Sequence, residues 1–167
     1  VERMDDIISH QLQRAAVSGR ATLAKPVAVD KVVNRLVRTL DKVYHDKNIA
    51  VECDLDPDCR FIGDEADLTE VLGNLLENAY KYCNRAIRVS VHTPGAGIEI
   101  LIEDDGPGIA PEQVHAILQR GMRMDESLPG QGIGLSMANE IIGVYGGRLE
   151  FAASDLGGAL LRIHFDD

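Results

Sequence analysis

The strongest periodic pattern along the chain is helical. Apolar residues three and four positions apart predict helices over about 1–16, 30–47, 64–83 and 132–145, with a shorter one after Pro111. Asp30 is placed to cap the second of these helices. The first helix cannot bury its apolar stripe alone, so we expect it to be the end of a helical bundle.

Alternation of apolar and polar residues predicts the strands. Short strands are expected at 27–29 and near Phe61, and longer ones at 49–53, 87–91, 98–102, 148–153 and 160–165. The pair at 87–102 is separated by a turn containing Pro94-Gly95, so it is expected to form a hairpin. Helices and strands mix without regular βαβ alternation, which predicts an α+β fold with helices layered on one face of the sheet.

The length and net charge of the chain indicate how many domains it forms and which ligands it can bind. A chain of 167 residues, 45% apolar, has the length of one domain with a short appendage. Its formal net charge of −10 argues against nucleic acid as a partner. A small anion such as a nucleotide phosphate is not excluded, because a few local donors or a bound metal ion can override the overall field.

Cysteine usage and hydropathy indicate the compartment. Cys53, Cys59 and Cys83 are odd in number and lack paired C-x-x-C spacing, so they are expected to be reduced thiols in a cytoplasmic protein. No run approaches the length of a membrane span, and the amino terminus has no secretory pattern. We therefore expect a fragment of a longer protein that makes no membrane contact of its own.

Three polar side chains share one strip of the helix predicted at 64–83. Asn74, Asn78 and Lys81 fall within about 60° of one another, opposite a face of leucines and alanine. Amide oxygens suit a magnesium ion that keeps several waters and bridges phosphates, and a nearby lysine can neutralise phosphate oxygens. From the helix alone, two interpretations stay open: the strip binds a magnesium nucleotide, or it simply faces water.

Two glycine-rich segments follow in chain order. The segment at 103–109, E-D-D-G-P-G-I, starts where a predicted strand ends, and its Asp105 can accept a hydrogen bond from an exocyclic amine such as that of adenine. Read alone, it is also a common turn. The segment at 130–135, G-Q-G-I-G-L, opens the last predicted helix, where free N–H groups can bind phosphate. Neither matches the P-loop or dinucleotide-binding glycine motifs.

The order of these three elements carries more information than any one of them. An Asn/Lys helix, a strand ending in D-G-x-G and a G-x-G-x-G helix start resemble the N, G1 and G2 boxes of the histidine-kinase ATP-binding domain, in the superfamily of Hsp90, MutL and type II topoisomerase ATPases. The likeness covers about 27–165 and includes a late glycine motif at 157–159. The segments K-V-Y, G-N-L-L-E-N-A-Y-K-Y-C, R-G-M-R-M-D and P-G-Q-G resemble those of the PhoQ type of sensor kinase. The resemblance implies a Bergerat-type two-layer sandwich, with a mixed, mostly antiparallel sheet and about three helices on one face.

The resemblance also implies roles for individual residues around ATP and Mg²⁺. It makes Asn74, Asn78 and Gln131 magnesium ligands, and it makes Lys81 and Arg123 phosphate contacts. Asn74, Lys81 and Arg123 would act in the transfer itself. Arg123 lies in a segment that resembles a mobile lid, at about 119–129, where it could equally be a solvated charge.

The base-binding part of the implied site lies around the first glycine segment. Tyr82 would pack on the adenine ring, and Asp105 would bind its amino group. The other pocket residues that the resemblance implies are Gly106, Gly108, Ile109, Gly130, Gly132, Ile133, Gly134 and Leu135.

Ser9-His10 is not the phosphoacceptor of such a kinase. The S-H-E-hydrophobic-[RK]-T-P-L pattern fails after Ser-His, and the position is too near the N box for a second bundle helix to intervene. We divide the chain into 1–24, the carboxyl end of a dimerisation and phosphoacceptor bundle with its linker, and 25–167, the ATP-binding domain.

The implied function is phosphoryl transfer from Mg-ATP to a histidine outside this chain, for relay to a response-regulator aspartate. The parent is expected to be a homodimeric inner-membrane sensor with this domain in the cytoplasm. Two alternatives stay open: a hydrolytic ATPase of the same superfamily, and a nucleotide-sensing or docking module without turnover. The ATPase branch is similar to E-x-x-x-N, with a glutamate that activates water, whereas here Asn74 stands four residues before Asn78. This difference favours the kinase.

Overall fold

The structure, a computed structural model, describes residues 25–118 and 133–166. The predicted helix at 1–16 and the first predicted domain, 1–24, lie outside these ranges. The helices are α1 (Val29–Val43), α2 (Glu65–Tyr82), α3 (Pro111–Leu118) and α4 (Ile133–Val144), with a 3-10 helix at His45–Lys47. The strands are β1 (Val27–Ala28), β2 (Ala50–Leu55), β3 (Arg60–Phe61), β4 (Ala86–His92), β5 (Ile98–Asp104), β6 (Arg148–Ala153) and β7 (Ala159–Phe165).

Five strands form the main sheet, in the order β2-β4-β5-β7-β6. The β2–β4 pair is parallel and the other three pairs are antiparallel, while β1 and β3 form a separate antiparallel ribbon. The predicted mixed, mostly antiparallel α+β fold is therefore confirmed, including the hairpin of β4 and β5. None of the helices in the described ranges is long and apolar enough to cross a membrane.

The two faces of the sheet follow from side-chain alternation. On β5, Ile98, Ile100 and Ile102 are buried beneath the helices, and they pair with apolar residues of β4 and β7. The opposite face carries charge pairs, in which Arg88 contacts both Glu52 and Glu103. One face thus supplies the core and the other faces solvent.

The start of α1 differs from the sequence prediction. Ala28, not Asp30, occupies the cap position, and it makes no side-chain cap bond. Pairing of β1 with β3 holds Ala28 in an extended conformation, and the next N–H, that of Val29, donates to Cys59 O at 3.4 Å. The helix therefore begins directly after the strand, which leaves Asp30 inside its first turn.

The helix predicted at 64–83 forms with the boundaries that its sequence dictates. Asp64 caps α2 by accepting the Ala66 N–H at 2.7 Å, and acidic residues follow in the first turn, where the helix dipole favours them. The buried face consists of Leu68, Val71, Leu72, Leu75, Leu76, Ala79 and Tyr80. Burial of this face against the sheet and α1 supplies most of the stability of the helix.

Helices α2 and α4 run antiparallel and are joined at one end by Tyr145. Its hydroxyl donates to the Asp67 carboxylate and accepts the Asp64 N–H at 3.2 Å. Its ring packs edge-on against Phe61, with centroids 5.0 Å apart, and a methyl group on Gly63 would overlap both rings. Burial, followed by the bond to Asp67, raises the pKa of Tyr145 to about 12. The tyrosine therefore keeps its proton and holds the carboxyl end of α4 at the start of α2.

A second tyrosine hydroxyl links α2 to α1 and provides a test of the packing. Tyr80 is fully buried, and its hydroxyl donates to Asp41 Oδ1 at 2.7 Å. We expect Tyr80→Phe to lower the free energy of unfolding by about 1 kcal/mol in urea titrations, because a charge-assisted hydrogen bond is lost while the ring stays in place.

Tyr44→Phe is the matched control. The Tyr44 ring packs against that of Tyr80 with centroids 5.8 Å apart, but no described residue bonds its hydroxyl. We expect a much smaller change for this variant. Equal losses in the two variants would mean that the bond to Asp41 contributes nothing specific.

Candidate functional site

The polar strip of α2 lies on the part of the helix that the core leaves uncovered. Asn74 and Asn78 are half-buried and Lys81 is exposed. Lys81 Nζ lies 5.4 Å from the ring centroid of Tyr82, the last residue of the helix. The structure thus brings together two amide groups, an ammonium and an aromatic ring over the last three turns of α2.

The start of α4 meets this strip at Asn74. A Cβ atom built on Gly134 would lie 3.3 Å from Asn74 Oδ1, so the glycine leaves room for the amide. Leu135 is buried in the core, and Ile109 is half-buried against it, so both support the site through packing. The predicted site residues that lie outside the described ranges are Arg123, Gly130, Gln131 and Gly132. Ile133 begins α4.

The two adjacent aspartates at the end of β5 have opposite surroundings. Asp104 is buried, and its Oδ1 accepts the N–H groups of Gly106 at 2.9 Å and Ala159 at 3.3 Å. No residue in the described part of the chain donates to Asp104 Oδ2. The Asp105 carboxylate accepts the N–H groups of Asn84 at 2.8 Å and Arg85 at 3.0 Å. Asp105 therefore points to the turn after α2 and holds it in place.

These surroundings shift the two pKa values in opposite directions. Burial is the main cause that raises the pKa of Asp104, and it outweighs the two N–H donors that favour its charged form. For Asp105, burial raises the pKa, but several hydrogen bonds from the backbone at 84–86 together outweigh it and lower the pKa overall. The hydrogen bonds to Asp104 thus do not fully offset the cost of burying its negative charge, a property found often at binding sites.

Glycines allow three backbone segments to meet around Asp104. A methyl group on Gly106 would overlap the Tyr82 carbonyl oxygen, and one on Gly158 would overlap Asp104 Oδ1. The Gly158 N–H in turn donates to the Asp104 carbonyl at 3.0 Å. The end of α2, the first glycine loop and the turn before β7 therefore pack backbone against backbone.

The importance of Asp104 could have been predicted from strand alternation. Ile98, Ile100 and Ile102 share the buried face of β5, and Asp104 continues that series two residues later. Its partner in the register is Ile87, another core residue. A carboxylate at a core position is the more informative of the two aspartates, because burial of a charge needs compensation.

Comparisons with known proteins agree with this geometry. A family described as "Histidine kinase-, DNA gyrase B-, and HSP90-like ATPase" matches residues 63–167. The chain is 42% identical over 165 residues to the "Two-component sensor PhoQ" of Pseudomonas aeruginosa, covering 99% of this chain and 37% of that protein. It is 36% identical over 166 residues to the "Sensor protein PhoQ" of Escherichia coli K12, covering 99% and 34%. The chain spans about a third of the length of these relatives.

Solved structures show the same fold. The "Mycobacterial sensor histidine kinase MprB" matches with a TM-score of 0.72 at 27% identity, covering 86% of this chain and 97% of that one. The "ATP binding domain of PrrB from Mycobacterium Tuberculosis" matches with a TM-score of 0.70 at 23% identity, covering 86% and 96%.

The opposite pKa shifts predict opposite effects of pH. Because the folded state raises the pKa of Asp104, its contribution to stability is greatest below 3.8 and is lost as the pH rises through the folded pKa. Because the folded state lowers the pKa of Asp105, its contribution is present above 3.8 and is lost as the pH falls through the folded pKa. We therefore expect Asp104→Asn to raise, and Asp105→Asn to lower, the urea midpoint at pH 7.

Each variant serves as the control for the other, since they differ by one position. Both differences from wild type should shrink when the unfolding titrations are repeated at about pH 4. A loss of stability at pH 7 in Asp104→Asn that equals the loss in Asp105→Asn would refute the assignment.

Proposed function

The chain belongs to the histidine kinase-, DNA gyrase B- and HSP90-like ATPase family, and from that premise we propose that it binds Mg-ATP and donates the γ-phosphate to a histidine outside this chain. Its similarity to PhoQ sensor kinases, which the motifs predict, supports this choice within the family. A response-regulator aspartate would then receive the phosphate. The parent would be a homodimer whose bundle carries the acceptor.

One observation carries the proposal: the buried Asp104 carboxylate, whose Oδ2 receives no donor from the described residues. An exocyclic amine such as that of adenine fits this acceptor, because it would donate to the carboxylate oxygen that the described residues leave without a donor. We therefore assign base recognition to Asp104 rather than to Asp105, whose carboxylate already accepts the Asn84 and Arg85 N–H groups. Tyr82, at the end of α2, would contact the ring.

The donor set of the α2 strip fits magnesium held jointly with a nucleotide. The described ranges contain no group of three or more His, Cys, Asp or Glu that could hold a metal ion alone. Asn74 and Asn78 supply hard neutral oxygens, and Gln131 would add a third, so phosphate oxygens and water would complete the coordination. When bound, the ion would neutralise charge on the phosphates, alongside Lys81 and Arg123.

The same strip favours transfer to another protein over hydrolysis. An asparagine amide accepts no proton at neutral pH, so Asn74 and Asn78 can orient and coordinate but cannot act as a general base. The position four residues before Asn78, where the ATPase branch has the glutamate that activates water, is occupied here by Asn74. The attacking group would therefore come from the acceptor histidine, with the chain supplying orientation and charge neutralisation.

The proposal is tested by nucleotide binding and phosphoryl transfer together. We expect the chain to bind ATP in the presence of magnesium, and to label a separate histidine-bearing bundle from a related sensor when γ-labelled ATP is supplied. Asn78→Ala should weaken magnesium-dependent binding at least about tenfold, because a ligand of the ion is lost.

Asn34→Ala is the matched control, since Asn34 is exposed on α1. It should bind and transfer like wild type. Binding by Asn78→Ala at wild-type affinity would refute the magnesium assignment. Binding without any label on the bundle would favour the nucleotide-sensing alternative, and steady phosphate release without a protein acceptor would favour the ATPase.

The choice of nucleobase tests Asp104 separately. In Asp104→Asn the amide oxygen can keep the Gly106 and Ala159 N–H bonds, which turns the NH₂ group toward the base. We expect the binding free energy of ATP to weaken by about 1–3 kcal/mol, because the asparagine NH₂ group would then face the adenine amine, which is also a donor. The binding free energy of GTP should weaken less, since guanine presents an oxygen at that position. Competition titrations with the two nucleotides measure the ratio, and an unchanged preference for ATP would contradict the assignment.

A further inference from the structure

Lys47, at the end of the 3-10 helix, is bound entirely to the backbone of a distant segment. Its Nζ donates to the carbonyl oxygens of Tyr80 at 2.7 Å, Lys81 at 3.1 Å and Cys83 at 2.9 Å. An ammonium group has three donors, so each has a partner. Asn48 follows in the left-handed conformation, with φ 52° and ψ 50°, and turns the chain toward β2.

These carbonyls belong to the carboxyl end of α2. The last carbonyls of a helix have no partner within it, and a positive charge there is favoured by the helix dipole. The Ala79 carbonyl is satisfied by the Cys83 N–H at 2.9 Å, and Lys47 supplies donors for the next two. Cys83 is already extended, with φ −62° and ψ 157°, so Lys47 also fixes the exit from the helix.

The same turn is held from a second direction by the first glycine loop. Gly106 packs against the Tyr82 carbonyl, and Asp105 accepts the N–H groups of Asn84 and Arg85. The turn therefore lies between the Lys47 ammonium, which donates to its carbonyl groups, and the Asp105 carboxylate, which accepts its N–H groups. Movement of this turn would change the distance between Tyr82 and Asp104.

We propose that Lys47 is a positioning residue for nucleotide binding, which sets the placement of Lys81 and Tyr82 by neutralising the end of α2. The inference rests on the proposed function, because those two side chains are its phosphate and ring contacts. Lys47 would act without contacting the nucleotide, because its three N–H donors are already bonded to backbone carbonyls. Its effect passes through the backbone of residues 80–83, to which it is bonded.

The test compares the nucleotide affinity of two Lys47 variants at a temperature well below the thermal unfolding midpoint of each, so that every variant is folded. Lys47→Met keeps the length and removes the charge and donors, whereas Lys47→Arg keeps the charge. We expect the methionine variant to bind Mg-ATP about tenfold more weakly, and the arginine variant to recover part of that loss. Lys31→Met, an exposed lysine on α1, should bind like wild type.

Amide hydrogen exchange supplies a readout that needs no nucleotide. We expect faster exchange at Cys83, Asn84 and Arg85 in Lys47→Met, confined to this turn. A variant that is merely less stable would bind normally when folded, so wild-type affinity in Lys47→Met overturns the inference. If the wild-type protein binds no nucleotide, the proposed function is refuted instead. If amide exchange at 83–85 is also unchanged in Lys47→Met, the role of Lys47 in holding this turn is refuted as well.

Discussion

Burial of the Asp104 carboxylate is the constraint around which the site is arranged. A charge at a core position of β5 must be compensated by nearby donors, and here they are backbone N–H groups from its own loop and from β7. Such donors reach the carboxylate only if the backbones approach closely, which requires glycine at 106 and 158. Glycine at 106 and 158 is thus a consequence of where the carboxylate lies.

The fold was largely predictable because its signals are local. Alternation of apolar and polar residues predicts β4, β5 and β7, and helical periodicity predicts α2. The predicted start of α1 at Asp30 is wrong, because Ala28 pairs with Arg60, which is distant in sequence, and the helix begins directly after that strand. Tertiary pairing of this kind leaves no mark on the local pattern.

The site was predictable only in part, for two different reasons. The α2 strip follows from helical spacing, so Asn74, Asn78 and Lys81 were found together. The glycine motif alone points to Asp105, whereas the alternation of β5 places Asp104 on the same buried face as Ile98, Ile100 and Ile102. Lys47 gave no signal, because its partners are carbonyl groups, which every residue has, more than thirty positions away.

The parallel pairing of β2 with β4 bears on where the folding unit begins. The family match starts at residue 63, yet β2, α1 and the ammonium that satisfies the end of α2 all precede it. A fragment that begins at residue 63 would keep the N-box helix and both glycine-rich segments. It would, however, leave β4 as an exposed edge strand and remove the packing of α1 against α2. The segment that recognises the nucleotide is therefore shorter than the segment that must fold to do so.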